Sequence, residues 1–513
     1  MNLIPTTAGT SLNYWCTWAT QNFGREDQLD EAVDASKFEG DQGAQLSRNY
    51  LNEEIVFGEN GWIHQFPEIR SDLYFMFDYG WDVPYNDNSG QGDWVFGSLE
   101  LSEERFPSCS GIPEERLKKL NDKVKSYGWK GAGLWIAAQA IGDGENGVRM
   151  EEDLLEPYWC ERLRWSREAG IEYWKVDLGA RADSLSFREW LTELGRREAP
   201  NLRIEHAVCV GPLNNEQGSG HFAQWGEIPD KFVSAAQFSD VFRSYDVLTQ
   251  TSVATTLDRL AYVFQHAVAR PDRIGIVNCE DEVYIGAVLG CSIGIMRSTY
   301  WIAPIVPGYC PQLQHKRMAE TTRAVHWQRI APNFGLGEGQ LQVSNEILQD
   351  TWFCEKGDTW AGWLIGKEVL QHAPAVLARG MECPTVQSEG EAPFVIASKH
   401  PNGAIAIATL PRTTKAKGIY YPIADIKVNI GEGKHPIGVF GEFGSLTLEV
   451  SHLPEEVTVW AQDLCSDQAL DITKDVVFRN GQVIIPGELL QRIGTLGQAV
   501  GDISDPGLVL VLE

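Results

Sequence analysis

Tyr173-Trp174-Lys175-Val176-Asp177 is a short run of aromatic and β-branched residues that carries a cation and ends on an acid. Side chains alternate along a strand, so Lys175 and Asp177 share one face. Comparable β-rich runs occur at residues 13–18, 73–77, 132–137, 202–205, 239–243 and 293–297. Helical patterns lie between them. Residues 113–127 open on proline and acids and stop at Gly128; residues 152–169 stop at Gly170, 184–194 at Gly195 and 251–269 before Pro271. Acids and proline at the start, with glycine or proline at the end, are helix punctuation.

Strand-then-helix units repeated in this way predict a parallel sheet with right-handed crossovers, closed into a (β/α)8 barrel. Seven strands are legible. An eighth is needed to close the barrel, and Gly362-Trp363-Leu364-Ile365 is one option for it. Residues 20–71 are too long for one βα connection and predict an extended loop over the strand ends. From about Pro393 the period becomes two. Residues 394–397 and 404–410 flank a Pro401-Asn402-Gly403 turn, and 476–478 and 483–485 flank Asn480-Gly481, predicting hairpins. Residues 446–450, 457–460 and 508–512 add strands. The expected organisation is a catalytic barrel over 1–380 and an antiparallel β-sandwich over 381–513.

Among 513 residues, 43 are Lys or Arg and 71 are Asp or Glu, a formal charge of −28. Such a balance argues against nucleic acid or an anionic membrane as partner, since phosphate binding needs a basic footprint. Residues 285–296, the longest mostly apolar run, span 12 residues and include three glycines. That is short of the ~20 needed to cross a bilayer. The first 13 residues have no signal-peptide pattern. The ten cysteines include no Cys-x-x-Cys pair, so a zinc or redox motif is absent. The expectation is a cytoplasmic protein with reduced thiols. No Walker or dinucleotide glycine fingerprint occurs in strand–helix context, and neither cofactor nor metal is expected. The acidic stretch Glu280-Asp281-Glu282 reads as a solvated loop.

Barrel chemistry is built at the C-terminal strand ends. The polar residues there are Asp78, Lys175, Asp177, Glu205, Arg243 and Asp246. A lumenal cation beside Asp177 lowers its pKa, and an ionised, oriented carboxylate is what a glycosidase nucleophile must be. Asp246, just past Arg243, is positioned to protonate a leaving oxygen and then activate water. Trp15, Trp18, Trp81, Trp135 and Trp174 lie near these acids. Indole rings stack on the apolar faces of sugars, while Asp, Lys and Arg bond the hydroxyls.

The segments 13–18, Phe77-Asp78-Tyr79-Gly80-Trp81, 131–136, 173–177 and Arg243-Ser244-Tyr245-Asp246 resemble, in this order, the α-galactosidase (melibiase) clan of retaining glycoside hydrolases. The Arg-x-x-Asp spacing is most similar to the raffinose-synthase and alkaline α-galactosidase branch. The likeness covers about the first 300 residues. It implies Asp177 as nucleophile, Asp246 as acid/base, and substrate contacts from Lys175, Arg243 and Asp78. By their places at the strand ends, Glu205 is a candidate for substrate contact or packing, and Trp15, Trp81 and Trp135 are candidate sugar-stacking rings. Tyr79 stands where the clan has a second Asp that grips galactose, so another α-linked sugar fits the pattern. The expected activity is double-displacement hydrolysis of an α-glycoside. Transfer to a second sugar, and sugar binding without turnover on the same scaffold, are the alternatives. A lyase or isomerase using Lys175 as base or Schiff-base former is a further one. The expected partner is a small carbohydrate. Helix faces of this clan often pair, which allows a homo-oligomer.

Overall fold

The computed structural model describes residues 1–23, 48, 50–84, 97–138, 152–177, 179, 181–182, 184–207, 228–244, 252–268, 270–297, 317–353, 368–454 and 456–513. Eight parallel strands close a barrel: β1 (Asn13–Cys16), β2 (Leu73–Phe77), β3 (Gly131–Ile136), β4 (Tyr173–Val176), β5 (Arg203–His206), β6 (Val241–Arg243), β7 (Ile276–Glu280) and β8 (Ser292–Ile295). Each strand pairs with its sequence neighbour, and β8 closes on β1 through Tyr14 opposite Gly294.

The strand missing from the sequence reading is β7, between β6 and β8. Its Asn278 and Glu280 interrupt the apolar pattern. The candidate eighth strand at 362–365 lies outside the described residues. The expected solvated loop at Glu280-Asp281-Glu282 is also corrected. Glu280 and Asp281 are 1% and 5% exposed, because the first ends β7 and the second bonds across to the chain leaving β8. Asp281 accepts bonds from the backbone N–H groups of Met296 (3.2 Å) and Arg297 (3.3 Å).

The punctuated helices form at Pro113–Ser126, Glu152–Ala169, Leu185–Glu198 and Ser252–His266. In the first, Glu114 and Glu115 sit in the opening turn and Lys123 and Lys125 in the last, each sign complementing the helix dipole. Three further helices, Ile228–Phe238, Val283–Leu289 and Met318–Ile330, were not legible. The expected extended loop over 20–71 is, where described, largely compact. It contains a helix at Glu53–Phe57 and 3-10 turns at Trp62–His64 and Arg70–Asp72. Trp62, Ile63, Phe66 and Ile69 pack into the core outside the barrel.

The C-terminal part is a sandwich of an eight-stranded and a five-stranded sheet, with mainly antiparallel pairs and some parallel ones. Its larger sheet begins at Leu341–Val343, ahead of the expected boundary at 381, and Val376–Arg379 pairs with Phe394–Lys399. Phe394, Ile396, Ala406 and Ala408 face the barrel helices, while Val395, Ala397, Ile405 and Ile407 face the second sheet. Both faces are covered, so these strands read as continuous apolar runs. The strand Asp425–Gly431 alternates exposed and buried residues because its outer face meets solvent.

The helix Val283–Leu289 is buried at every position. It lies between β7, β8 and the larger sheet, which explains why it is apolar all round. Arg379 donates to its terminal carbonyl at Leu289 (2.7 Å). Beside it, Arg323 of the helix Met318–Ile330 forms a two-pronged pair with Asp463 at 2.9 and 3.1 Å, with neither side chain exposed. Removing one member leaves the other charge buried and unpaired. Arg323→Met should therefore lower unfolding free energy by about 3–5 kcal/mol in urea titration. A change below about 1 kcal/mol would show that the pair does not hold the two parts together.

Candidate active site

Period two points Tyr14 and Cys16 of β1, Tyr74 and Met76 of β2, Tyr173 of β4, Val241 of β6 and Ile276 of β7 toward one another in the lumen. Above this layer the strand ends bring charges together. Lys175 Nζ donates to Asp78 Oδ2 at 2.9 Å and stands 3.6 Å from Glu280 Oε1. Arg243 Nη2 donates to Asp177 Oδ2 at 2.9 Å, and its other nitrogens lie 3.6 Å from Glu280 and 4.0 Å from Glu205. The Tyr173 hydroxyl donates to Glu205 Oε2 at 2.7 Å, and Tyr14 Oη lies 3.2 Å from both Glu205 and Glu280. Tyr14 reaches across because residue 294 is glycine: a Cβ there would stand 2.5 Å from the Tyr14 hydroxyl oxygen.

The acids differ in access. The Asp177 side chain is 20% exposed, against 4% for Asp78 and none for Glu205 or Glu280. Asp177 is thus the lumenal carboxylate of this group that a ligand can reach. Burial opposes its charge, but Arg243 and then Lys175 overcome that cost and hold its pKa below the ordinary value. Burial pushes Glu205 the other way, upward, against the pull of Arg243 and the Tyr173 hydrogen bond. Burial also disfavours charge on Lys175, yet Asp78, Cys16 and Glu280 together outweigh it and raise the ammonium pKa well above normal. A protonated, 2% exposed lysine is unsuited to Schiff-base chemistry.

The main chain of Asp177 is held from behind. Arg188, on the helix that follows β4, donates to the carbonyls of Val176 (3.0 Å), Asp177 (2.7 Å) and Ala182 (2.7 Å). His206 lies on this outer side between Arg188 (3.2 Å) and Thr192 (2.8 Å). Burial, reinforced by Arg188, drives its pKa well down and keeps it neutral.

Aromatic rings form a wall beside Asp177. Trp135 Nε1 donates to Asp177 Oδ2 at 3.3 Å, and its ring meets Tyr79 edge-on at 5.4 Å. Tyr79 in turn meets Trp18 at 6.5 Å. Trp18 remains partly exposed.

Asp177, Lys175, Arg243, Glu205, Asp78, Tyr79 and Trp135 lie together at the strand ends. Trp15 and Trp81 do not. Strand alternation turns Trp15 outward, where it packs on Trp62, Phe66, Phe75 and Trp129 with none of its surface exposed. Trp81 is 1% exposed and donates to the Trp135 carbonyl at 2.8 Å. It supports the wall from the core side. Asp246 lies outside the described residues. The sequence reading missed Glu280, Tyr14, Tyr173 and Cys16, and it did not carry Trp18 into the site. Glu280 ends its strand on an acid, as Tyr173-Trp174-Lys175-Val176-Asp177 does, and that signal was available.

No protein-family model matches the chain, and no curated protein matches it. Among solved structures the chain is similar to a GH27 β-L-arabinopyranosidase from Geobacillus stearothermophilus, at 10% identity over 99% of this chain and 97% of that one, with a TM-score of 0.41. It is similar to α-galactosidase I from Mortierella vinacea at 13% identity, over 71% and 94% of the two chains, with a TM-score of 0.32. It is also similar to a homocysteine methyltransferase from Escherichia coli at 12% identity, over 56% and 93%, with a TM-score of 0.31. The chemistry of the site rests on the side chains described above. No helix among the described residues is long and apolar enough to cross a membrane.

The depressed pKa of Asp177 has a testable sign. Its charge stabilises the fold above the unfolded carboxylate value, about 3.9, and that contribution disappears as pH falls through the lower folded value. The stability gap between wild type and Asp177→Asn should be widest near neutral pH and shrink on acidification below about pH 4. Denaturant melts across that range would measure it. A gap that widens on acidification would contradict the assignment.

Proposed function

We propose that the protein is a retaining α-glycoside hydrolase with Asp177 as nucleophile and Asp246 as general acid/base. The observation that carries this reading is the condition of Asp177. It is reachable at the barrel mouth, ionised by Arg243 and Lys175, and flanked by the indole of Trp135. A carboxylate in that state can attack an electron-poor anomeric carbon. The resemblance of the Lys-x-Asp and Arg-x-x-Asp segments to the α-galactosidase clan supports the same roles, with the raffinose-synthase and alkaline α-galactosidase branch as the nearest pattern.

In the first step Asp177 bonds to the anomeric carbon while protonated Asp246 donates to the departing oxygen. In the second, Asp246 takes a proton from water, the water oxygen replaces Asp177, and configuration is retained. This geometry requires the two carboxyl groups to stand about 5–5.5 Å apart. Lys175 and Asp78 form an enclosed, preset pair that shapes the field of the site. The partly exposed Trp18, backed by Tyr79 and Trp135, offers an apolar surface to the ring face. Tyr79 is 1% exposed and supplies no carboxylate, which favours an α-linked sugar other than one needing a paired acid at that point.

Asp177→Ala should cut turnover of an aryl α-glycoside by several orders of magnitude while folding normally, and azide should restore part of it. NMR of the first-formed product should show retained configuration. Wild-type turnover in folded Asp177→Ala would remove Asp177 from the mechanism. Release of the sugar with inverted configuration would remove double displacement.

A further inference from the structure

A cavity of about 460 Å³ opens between the helices Glu152–Ala169 and Leu185–Glu198. We propose that it binds a saccharide unit remote from the bond being cleaved, so that the preferred substrate is an extended oligosaccharide. This rests on the glycosidase reading above.

Position is the first argument. Each helix follows a barrel strand, so its N-terminal end rises on the same face as the strand's C-terminal end. The lining residues lie in the opening turns of both helices and in the loop after β4. Arg181 is only four residues beyond Asp177, which limits their Cα separation to roughly 14 Å even for a fully extended chain. Two backbone bonds tie the loop to β3 and shorten that span. Asp177 N–H reaches the Ile136 carbonyl at 3.0 Å, and Arg181 N–H reaches the Ala138 carbonyl at 2.8 Å.

Chemistry is the second. The apolar lining is made by Leu155, Phe187 and Trp190. Leu155 and Phe187 are buried, whereas Trp190 is part exposed and 5.8 Å from Phe187, centroid to centroid. The polar lining is Arg181, Ser184 and Ser186, together with Glu156. The two serine hydroxyls stand 3.2 Å apart, and Ser184 also caps the helix by accepting from Phe187 N–H. Glu156 is steadied by Arg197 at 2.5 Å. An indole beside hydroxyls, a guanidinium and a carboxylate matches one sugar ring: an apolar C–H face and an edge of donors and acceptors. The volume lies within the range of small-molecule sites.

The test compares wild type, Trp190→Ala, Trp190→Phe and Ser186→Arg. Ser186 is exposed, so the arginine obstructs the cleft without entering the core. Stachyose and maltotetraose are titrated calorimetrically into each protein. KM and kcat are measured on the same sugars and on a nitrophenyl α-monoglycoside. At least one tetrasaccharide should bind wild type. Trp190→Ala and Ser186→Arg should weaken it about five- to tenfold, while Trp190→Phe keeps most of the affinity. Turnover of the monoglycoside should not change. Unchanged tetrasaccharide affinity in both Trp190→Ala and Ser186→Arg, with monoglycosides cleaved, overturns the cleft and leaves the glycosidase reading standing. Cleft-dependent binding without cleavage of any glycoside does the reverse. Failure of either tetrasaccharide to bind wild type also overturns the proposal.

Discussion

Two cations at the centre of the barrel hold four acids around them. Lys175 pairs with Asp78 and approaches Glu280; Arg243 pairs with Asp177 and approaches Glu280 and Glu205. These groups come from strands or strand ends spaced around the ring, and the Tyr14 and Tyr173 hydroxyls extend the network to β1 and the lower lumen. Isolated charges at such depth would cost several kcal/mol each. Mutual pairing offsets part of that cost, and closure of the barrel places them within reach. The sheet and the charge cluster therefore require one another.

The network also sorts its carboxyl groups by role. Asp78, Glu205 and Glu280 are enclosed and serve the field of the site. Asp177 alone of these four keeps a fifth of its side chain open. Its charge is set by Arg243, and its backbone by Arg188 from the helix behind. A reactive group held from both sides loses little freedom on meeting a substrate, which is the basis of preorganised catalysis. The aromatic wall adds shape to this field without adding charge.

Much of the barrel was readable because its signals are local. Strands β1 to β6 and β8 show as β-rich runs, and four helices carry their own stops. The strand β7 was hidden because Asn278 and Glu280 face a polar lumen, so an interior surface looked like an exterior one. The helix Val283–Leu289 was hidden for the opposite reason. It is covered on the barrel side and the sheet side, and lacks the polar stripe by which helices are recognised. For the site, Asp177, Lys175, Arg243 and Asp78 were legible as polar endings of apolar strands. Trp15 was misleading, since alternation along β1 sends it to the outer core while Tyr14 and Cys16 take the lumen.

The amino-acid order alone determined the repeating strand–helix plan, the β-rich C-terminal part and the acids that end strands, because period, punctuation and composition act over a few residues. Only the tertiary structure decided which charge pairs with which. Lys175 and Asp177 are neighbours on one strand, yet each takes its closest ion-pair partner from another strand, at Asp78 and Arg243. Such choices depend on barrel closure, on the space left by Gly294 and on how deeply each group is buried. These are properties of distances between residues far apart in the chain, and no local pattern encodes them.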